Sequence, residues 1–151
     1  MKKILLLAAA FVFTLTVSAQ TKAEEIAKFN TESYDFGKIK QGVPVTYYFE
    51  IKNISNKPII VESASASCGC TVPEKPEEPI EPGKTGKIKV QYSAASVAPF
   101  TKDVFIKLSG VSETKTLHIT GEVLTVEAYD AYMKEKANTP PAKNDKEKPK
   151  N

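Results

Sequence analysis

Apolar and polar residues alternate along most of the central part of the chain. In residues 45–52 every second side chain is apolar, and the positions between them carry Thr46, Tyr48, Glu50 and Lys52. A period of two is typical of a strand with one buried face and one solvent-exposed face. The same alternation predicts strands over residues 88–92, 104–108 and 117–120, and shorter runs predict two more over residues 34–36 and 58–62.

Turn-forming residues separate the predicted strands. Asn, Ser, Pro and Gly cluster in residues 53–58, 81–84 and 109–112. Six or seven short strands in about 100 residues, with no strong helix between them, predict an all-β fold. We expect a single immunoglobulin-like antiparallel β-sandwich over residues 29–124, with a small closed barrel as the alternative. The lack of Trp and of two widely separated Cys excludes the antibody-type core, but not the sandwich.

The first nineteen residues have the pattern of a secretory signal peptide. Two lysines precede an almost wholly apolar run, and small residues end it at Ala19, which predicts cleavage before Gln20. The apolar run of about 14 residues is shorter than the ~20 that span a bilayer. We therefore expect an exported protein, in the periplasm or at the cell surface, with no stable membrane span after cleavage. Residues 20–28 form a polar lead into the sandwich.

The C-terminal residues 125–151 are rich in Lys, Glu, Pro and Asn. This composition predicts a flexible tail, because too few apolar residues are present to offset the entropy of ordering it. Within it, Tyr129, Tyr132 and Met133 are spaced as on one side of a helix, which allows a short helix over residues 126–137. Whether such a helix docks on the domain is left open by the sequence.

The charge balance argues against nucleic-acid binding. All 21 basic residues are Lys, and the net charge of the chain is +3. Removing the predicted signal peptide removes Lys2 and Lys3 and leaves 132 residues with a net charge of +1. A nearly neutral domain without Arg lacks the basic surface that binds phosphates.

The reactive side chains of the chain are concentrated in Cys68-Gly69-Cys70. The two Cys could form a disulfide, since a bend at Gly69 would shorten the ~6.6 Å between alternate Cα atoms of an extended strand. They could instead bind a soft ion such as Cu(I), although two thiolates are an incomplete set of ligands. A third interpretation is structural, because free Cys packs as a small apolar residue. All three states stay open at this stage.

Other polar residues give weaker indications. His118 is predicted on the solvent-exposed side of its strand, with no partner evident from the sequence. The acidic, proline-rich residues 71–83 are interpreted as an extended loop, either a recognition surface or a solvated connector. No Gly-x-Ser-x-Gly motif is present, and we expect no catalytic residues, no cofactor and no enzymatic activity.

Several of these segments resemble one bacterial family, the domain of unknown function 1573. The resemblance rests on Tyr34-Asp35-Phe36-Gly37, the spacing of Phe49, Ile51 and Asn53, the block Ser67-Cys68-Gly69-Cys70-Thr71, and Pro82-Gly83-Lys84. It spans residues 29 to about 123. The resemblance implies an immunoglobulin-like sandwich of the Hydin and major-sperm-protein type, exported by bacteria such as Bacteroidetes. It implies no activity, and Lys75 stands where relatives often have Trp.

Taken together, these patterns predict an exported, non-enzymatic β-sandwich module for protein binding or assembly in the cell envelope. Exposed strand edges would provide the physical route to a protein partner, whose identity the sequence does not indicate. The alternative is a periplasmic protein that handles thiol redox chemistry or Cu(I) through Cys68 and Cys70.

Overall fold

The computed structural model describes residues 22–138, which form a two-layer β-sandwich. The elements in chain order are α1 (Ala23–Ile26), β1 (Ala27–Phe29), β2 (Ser33–Lys40), β3 (Val45–Asn53), β4 (Val61–Ala66), β5 (Thr71–Glu74), β6 (Thr85–Tyr92), β7 (Pro99–Leu108), β8 (Thr114–Leu124) and α2 (Val126–Asn138). One sheet has the strand order β1-β3-β6-β5 and the other β2-β8-β7-β4. The predicted all-β sandwich is therefore confirmed. The predicted signal peptide, its cleavage site and the end of the tail lie outside the described residues.

The core lies between the two sheets and is built by the alternating positions. Phe49 and Ile51 of β3 are fully buried, whereas Tyr48 and Glu50, which alternate with them along the strand, are exposed. The facing sheet contributes alternate residues of β7 and β8 in the same way. The fully buried side chains from both sheets include Phe49, Ile51, Ile88, Val90, Val104, Ile106, Leu117 and Ile119.

One strand pair departs from the predicted antiparallel arrangement. β2 runs parallel to β8, with Ser33 opposite His118 and Lys40 opposite Leu124. The register shifts between Asp35 and Lys38, where β2 is irregular. A strand near the start of the chain thus pairs with the last strand, and a parallel pair needs a long connection, here the rest of the domain.

The region predicted as an extended proline-rich loop carries more structure than expected. Residues 71–74 form β5, which pairs with β6 at the edge of its sheet. Further along, Ile80 is buried and exchanges backbone hydrogen bonds with Ile59. The buried Asn53 side chain fastens this segment, donating to the backbone oxygens of Ile80 at 2.7 Å and of Lys57 at 2.8 Å. The segment is therefore part of the sandwich and not only a solvated connector.

The C-terminal helix α2 lies against the outside of β2 and β8. Its contacts are polar: Asp130 forms an ion pair with Lys40 at 2.9 Å, and the Lys38 ammonium lies 4.8 Å from the centre of the Tyr132 ring. None of its residues is buried. Within residues 22–138, no helix is both long enough and apolar enough to cross a membrane.

Candidate functional site

Cys68 and Cys70 form a disulfide in the turn that follows β4. Their Cα atoms are 5.3 Å apart, closer than alternate residues of an extended strand, so the backbone bends as the sequence suggested. The Thr71 amide closes the turn by donating to the carbonyl of Cys68 at 3.2 Å. Gly69 is not among the described residues with positive φ, so the bend does not depend on the left-handed region that glycine permits.

This turn carries the chain from one sheet to the other. β4 is the edge strand of one sheet and β5 is the edge strand of the second, so the disulfide lies between two sheet edges. Before the bridge, the Ser67 amide donates to the carbonyl of Asp103 at 3.0 Å. After it, the Ser93 amide donates to the carbonyl of Cys70, also at 3.0 Å. The backbone on both sides is thus fixed by hydrogen bonds that do not involve the sulfur atoms.

The two sulfur atoms have different surroundings. Both Cys residues are partly exposed, and Cys70 also packs against the hydrophobic core. The Thr71 hydroxyl oxygen lies 3.7 Å from Cys68 Sγ, and Thr71 is only 4% exposed. A disulfide sulfur carries no proton, so the hydroxyl is the donor in this contact. The sequence analysis named Thr71 only as part of the family resemblance and gave it no contact with Cys68, although three residues is the spacing that joins the two ends of a β-turn.

The strand that leads into the turn has a free edge. β4 pairs with β7 on one side only, with Ala64 opposite Ile106 and Ser65 opposite Phe105. Because the Ser67 amide donates to β7, the alternation of an antiparallel ladder directs the Ser65 amide toward β7 as well. The same alternation directs the amides of Ala64 and Ala66 away from β7, toward the open edge.

The structure gives His118 a partner that the sequence did not reveal. His118 Nδ1 lies 2.8 Å from a carboxylate oxygen of Asp103 on the neighbouring strand, and the two side chains are 46% and 42% exposed. Asp103 and His118 are opposite each other in the β7–β8 register, which a single sequence does not specify. The pair lies on the outer face of its sheet, whereas Cys68 is in the turn beyond the strand end.

A Cu(I) site at Cys68 and Cys70 would need the reduced form, because the disulfide leaves no thiolate to bind the ion. Within the described residues no group of three or more His, Cys, Asp and Glu side chains is placed to hold a metal. After reduction, the two thiolates alone would offer Cu(I) an incomplete set of ligands.

Ion pairs on the two flanks of the sandwich differ in burial. Near the disulfide, Lys89 contacts Glu74 at 2.9 Å, and this hydrogen bond raises the pKa of Lys89. On the opposite flank, the Lys115 ammonium contacts Glu24 at 2.8 Å and Glu32 at 2.6 Å, and the Lys115 side chain is only 13% exposed.

The Lys115 cluster shifts the pKa values of its members. Burial lowers the pKa of Lys115, but its hydrogen bonds to the two carboxylates outweigh burial and leave that pKa above its usual value. The hydrogen bond from Lys115 lowers the pKa of Glu24. These pairs join α1 and the segment before β2 to β8, so they help to hold the N-terminal residues on the sandwich.

An open cleft of about 420 Å³ lies elsewhere, between β2, β8 and helix α2. Its lining includes Lys38, Phe100, Glu122 and Tyr132. The Asp35 carboxylate, also in this lining, accepts a hydrogen bond from the Gly37 amide at 2.9 Å and so supports the local backbone. The cleft does not include the Cys pair.

Comparison with solved structures places the fold among immunoglobulin-like sandwich domains. A PapD-like domain of human CEP192 matches with a TM-score of 0.58 and 10% identity, covering 82% of this chain and 99% of that domain. A protein of unknown function from Porphyromonas gingivalis W83 matches with a TM-score of 0.56 and 15% identity over 74% of this chain. The VesB protease of Vibrio cholerae matches with a TM-score of 0.54 and 13% identity over 67% of this chain. At these identities the likeness concerns the fold alone.

The chain belongs to the family described as protein of unknown function DUF1573, whose model matches residues 27–123. The predicted resemblance is thereby confirmed. No curated protein sequence matches the chain. The chain spans only 51% of the Porphyromonas gingivalis protein and 33% of the protease, so the similarity covers one part of those longer proteins.

Proposed function

We propose that this protein is an exported, non-enzymatic module of the cell envelope that binds a protein partner by adding a strand to the free edge of β4. The observation that carries the proposal is that β4 pairs with β7 on one side and with no strand on the other. An exposed sheet edge presents backbone donors and acceptors in a row, and an extended peptide can pair with them.

The other sheet edges carry features that hinder strand addition. β5 contains Pro73, which lacks an amide donor, and Glu74, which pairs with Lys89. β1 has only three residues, and β2 is irregular and contacts helix α2. β4 has six residues and contains neither Lys nor Pro. Short, charged, bulged or proline-containing edges are the usual protections against unwanted pairing. In β4 the register shift and the one charged residue, Glu62, lie at the start of the strand, and residues 63–66 carry none of these protections.

The side chains of β4 leave its backbone accessible. Ser63 and Ser65 point outward, and Ala64 and Ala66 are half-buried toward the core. Small side chains allow another strand to approach without steric conflict. The free amides of Ala64 and Ala66 would then donate to the partner, so main-chain hydrogen bonds would supply most of the affinity.

The exposure of the Asp103–His118 pair supports the non-enzymatic part of the proposal. A catalytic His–carboxylate pair acts in a site that excludes water and holds the substrate. Here both side chains are nearly half exposed on a sheet face. The simplest role for this pair is a surface contact between β7 and β8.

A proline at one position tests strand addition. Ala64→Pro removes a donor from the free edge but none from the ladder to β7, so the domain should keep its circular dichroism spectrum and lose its partner. Ala64→Ser retains the amide and a small side chain, and should retain the partner. The measurement is chemical crosslinking in the native cell envelope, followed by identification of the crosslinked protein. Equal crosslinking by both folded variants would refute binding through β4.

Export is tested separately by intact-mass measurement of the native protein from cell fractions. The proposal expects the mature chain to begin at Gln20 and to be found in the periplasm or at the surface. An uncleaved chain recovered from the cytoplasm would contradict this part of the proposal without affecting the test of the β4 edge.

A further inference from the structure

We propose that the Cys68–Cys70 disulfide is a redox-active site that exchanges with an external dithiol, while the sandwich remains folded in both states. This activity is distinct from partner binding at the β4 edge. In this reaction the Cys pair accepts two electrons from a protein or small molecule that carries two neighbouring thiols.

The size of the closed loop argues against a purely structural bridge. A disulfide stabilises a fold mainly by restricting the unfolded chain, and the effect grows with the length of the loop that it closes. Here only Gly69 lies between the two Cys. The bridge therefore restricts very little of the unfolded chain and joins no elements that are distant in sequence.

The surrounding hydrogen bonds make reduction compatible with the fold. Ser67 is bonded to Asp103, Cys70 to Ser93, and the turn itself is closed between Cys68 and Thr71. All of these contacts use backbone atoms, so breaking the S–S bond removes none of them. Both sulfur atoms are in a partly exposed turn, where an incoming thiolate can reach them.

The Thr71 hydroxyl makes the two sulfur atoms unequal. The Thr71 residue is almost wholly buried, and its hydroxyl donates toward Cys68 Sγ at 3.7 Å. The same hydrogen bond would stabilise Cys68 as a thiolate once the S–S bond breaks. Since a thiol of lower pKa leaves faster, Cys68 is the favoured leaving group and Cys70 the sulfur under attack.

The exchange proceeds in two balanced steps. One thiolate of the dithiol attacks Cys70 Sγ, the S–S bond breaks, and Cys68 leaves as a thiolate that takes a proton from water. The second thiolate of the dithiol then attacks its own partner sulfur in the mixed disulfide, and Cys70 leaves and is protonated. Overall, the dithiol is oxidised to a disulfide and gives two electrons and two protons to the Cys pair.

Equilibration with glutathione tests the redox activity directly. The full mature protein is incubated in buffers of defined reduced-to-oxidised glutathione ratio, quenched with an alkylating agent and analysed by intact mass. We expect the fraction carrying two alkyl groups to rise with the ratio, while the circular dichroism spectrum is unchanged. A pair that stays oxidised in a large excess of reduced glutathione, or a domain that unfolds on reduction, would overturn the proposal, because structural disulfides resist the glutathione pool.

A pair of Thr71 variants tests the role of the hydroxyl as a positioning group. Thr71→Val keeps the shape but removes the donor, and should slow reduction by dithiothreitol by about two- to fivefold. Thr71→Ser keeps the hydroxyl and should reduce at close to the wild-type rate. Unfolding curves of the oxidised variants report any change in stability separately. Equal reduction rates for Thr71→Val and Thr71→Ser would show that the Thr71 hydroxyl plays no part in the exchange.

Discussion

The two flanks of the sandwich are closed in different ways. On the flank where β2 of one sheet meets β3 of the other, the Tyr34 and Tyr47 rings stack with centroids 3.6 Å apart, and Phe49 meets Tyr47 edge to face at 4.8 Å. We call this the aromatic flank. On the flank formed by β4 and β5, the disulfide flank, a run of Ser and Ala leads into the Cys68–Cys70 turn.

The two flanks should contribute to different properties of the domain, one to its stability and the other to binding and redox behaviour. Large aromatic side chains bury much apolar surface, so the aromatic flank should contribute strongly to the free energy of unfolding. The disulfide flank buries little, and instead exposes backbone hydrogen-bonding groups and two reactive sulfur atoms. Changes on the first flank should therefore unfold the domain, whereas changes on the second should alter binding or redox behaviour with small effects on stability.

The largest expected effect is on the aromatic flank. Phe49→Ala should lower the free energy of unfolding by about 3–5 kcal/mol, because it leaves a cavity in the core. Tyr48→Ala is the matched control, since Tyr48 is the next residue along β3 and is 50% exposed. Urea unfolding of both variants measures the difference. Similar losses from the two substitutions would contradict the assignment of the core face of β3.

A smaller effect is expected on the disulfide flank. Replacing Cys68 and Cys70 together by Ser should cost about 1–2 kcal/mol, less than the ~3 kcal/mol of a 15-residue loop. The measurement is urea unfolding of the oxidised wild type and the double variant under the same conditions. A loss as large as that of Phe49→Ala would mean that this flank also determines the stability of the fold.

The ion pairs of Lys115 should stabilise the domain to an extent that depends on pH. Lys115→Met removes the ion pairs with Glu24 and Glu32, and should cost about 0.5–1 kcal/mol at neutral pH because both carboxylates are largely exposed. The lowered pKa of Glu24 means that its contribution is present above the unfolded value of 4.5 and is lost as the pH falls through the folded pKa.

Unfolding midpoints of Lys115→Met and the wild type should therefore converge on acidification. The raised pKa of Lys115 gives the opposite pH dependence of stability. Its contribution to the free energy of unfolding is complete below the unfolded value of 10.5 and is lost as the pH rises through the folded pKa. A constant difference between the two proteins from neutral to acidic pH would show that Lys115 acts through packing alone.

The smallest effect is expected at Gly69. An added Cβ there has no atom within 4 Å and φ is not positive, so Gly69→Ala should change the free energy of unfolding by less than about 0.5 kcal/mol. Gly110→Ala is the control, because an added Cβ also has open space there but φ is +75°. That variant should lose about 1 kcal/mol or more. Thermal unfolding compares the two, and an equal loss would show that the disulfide turn needs glycine.

The longer strands of both sheets could be predicted from the sequence because their apolar residues alternate. β3, β6, β7 and β8 all follow this pattern, and each is longer in the structure than the alternation predicts, with β7 beginning at Pro99 and β8 ending at Leu124. The sequence does not predict β5, because Pro73 is a residue type that is rare inside strands. The Ser93–Cys70 hydrogen bond shows why Pro73 is tolerated there. Hydrogen bonding to β6 alternates along β5 from this pair, so the Pro73 nitrogen points toward the free edge, where no donor is needed.

The candidate site was predictable only in part. The sequence identified Cys68 and Cys70 and the bend between them, but left their chemical state open. The Thr71 contact depends on the turn geometry, and the Asp103–His118 pair depends on the register of two strands. The ion pair between Lys115 and Glu24 joins residues 91 positions apart. Such contacts follow from the tertiary arrangement, which alternation along one strand does not specify.

The parallel pairing of β2 with β8 also has a consequence for the order in which the domain folds. Hairpins such as β7–β8 join neighbouring segments and can form early, because their loops are short. β2 has no strand partner until residues 114–124 are available, and closing so long a loop is slow. We expect β2 to be the last strand to join its sheet, so the chain reaches its native state only when synthesis and any transport have delivered its final strand.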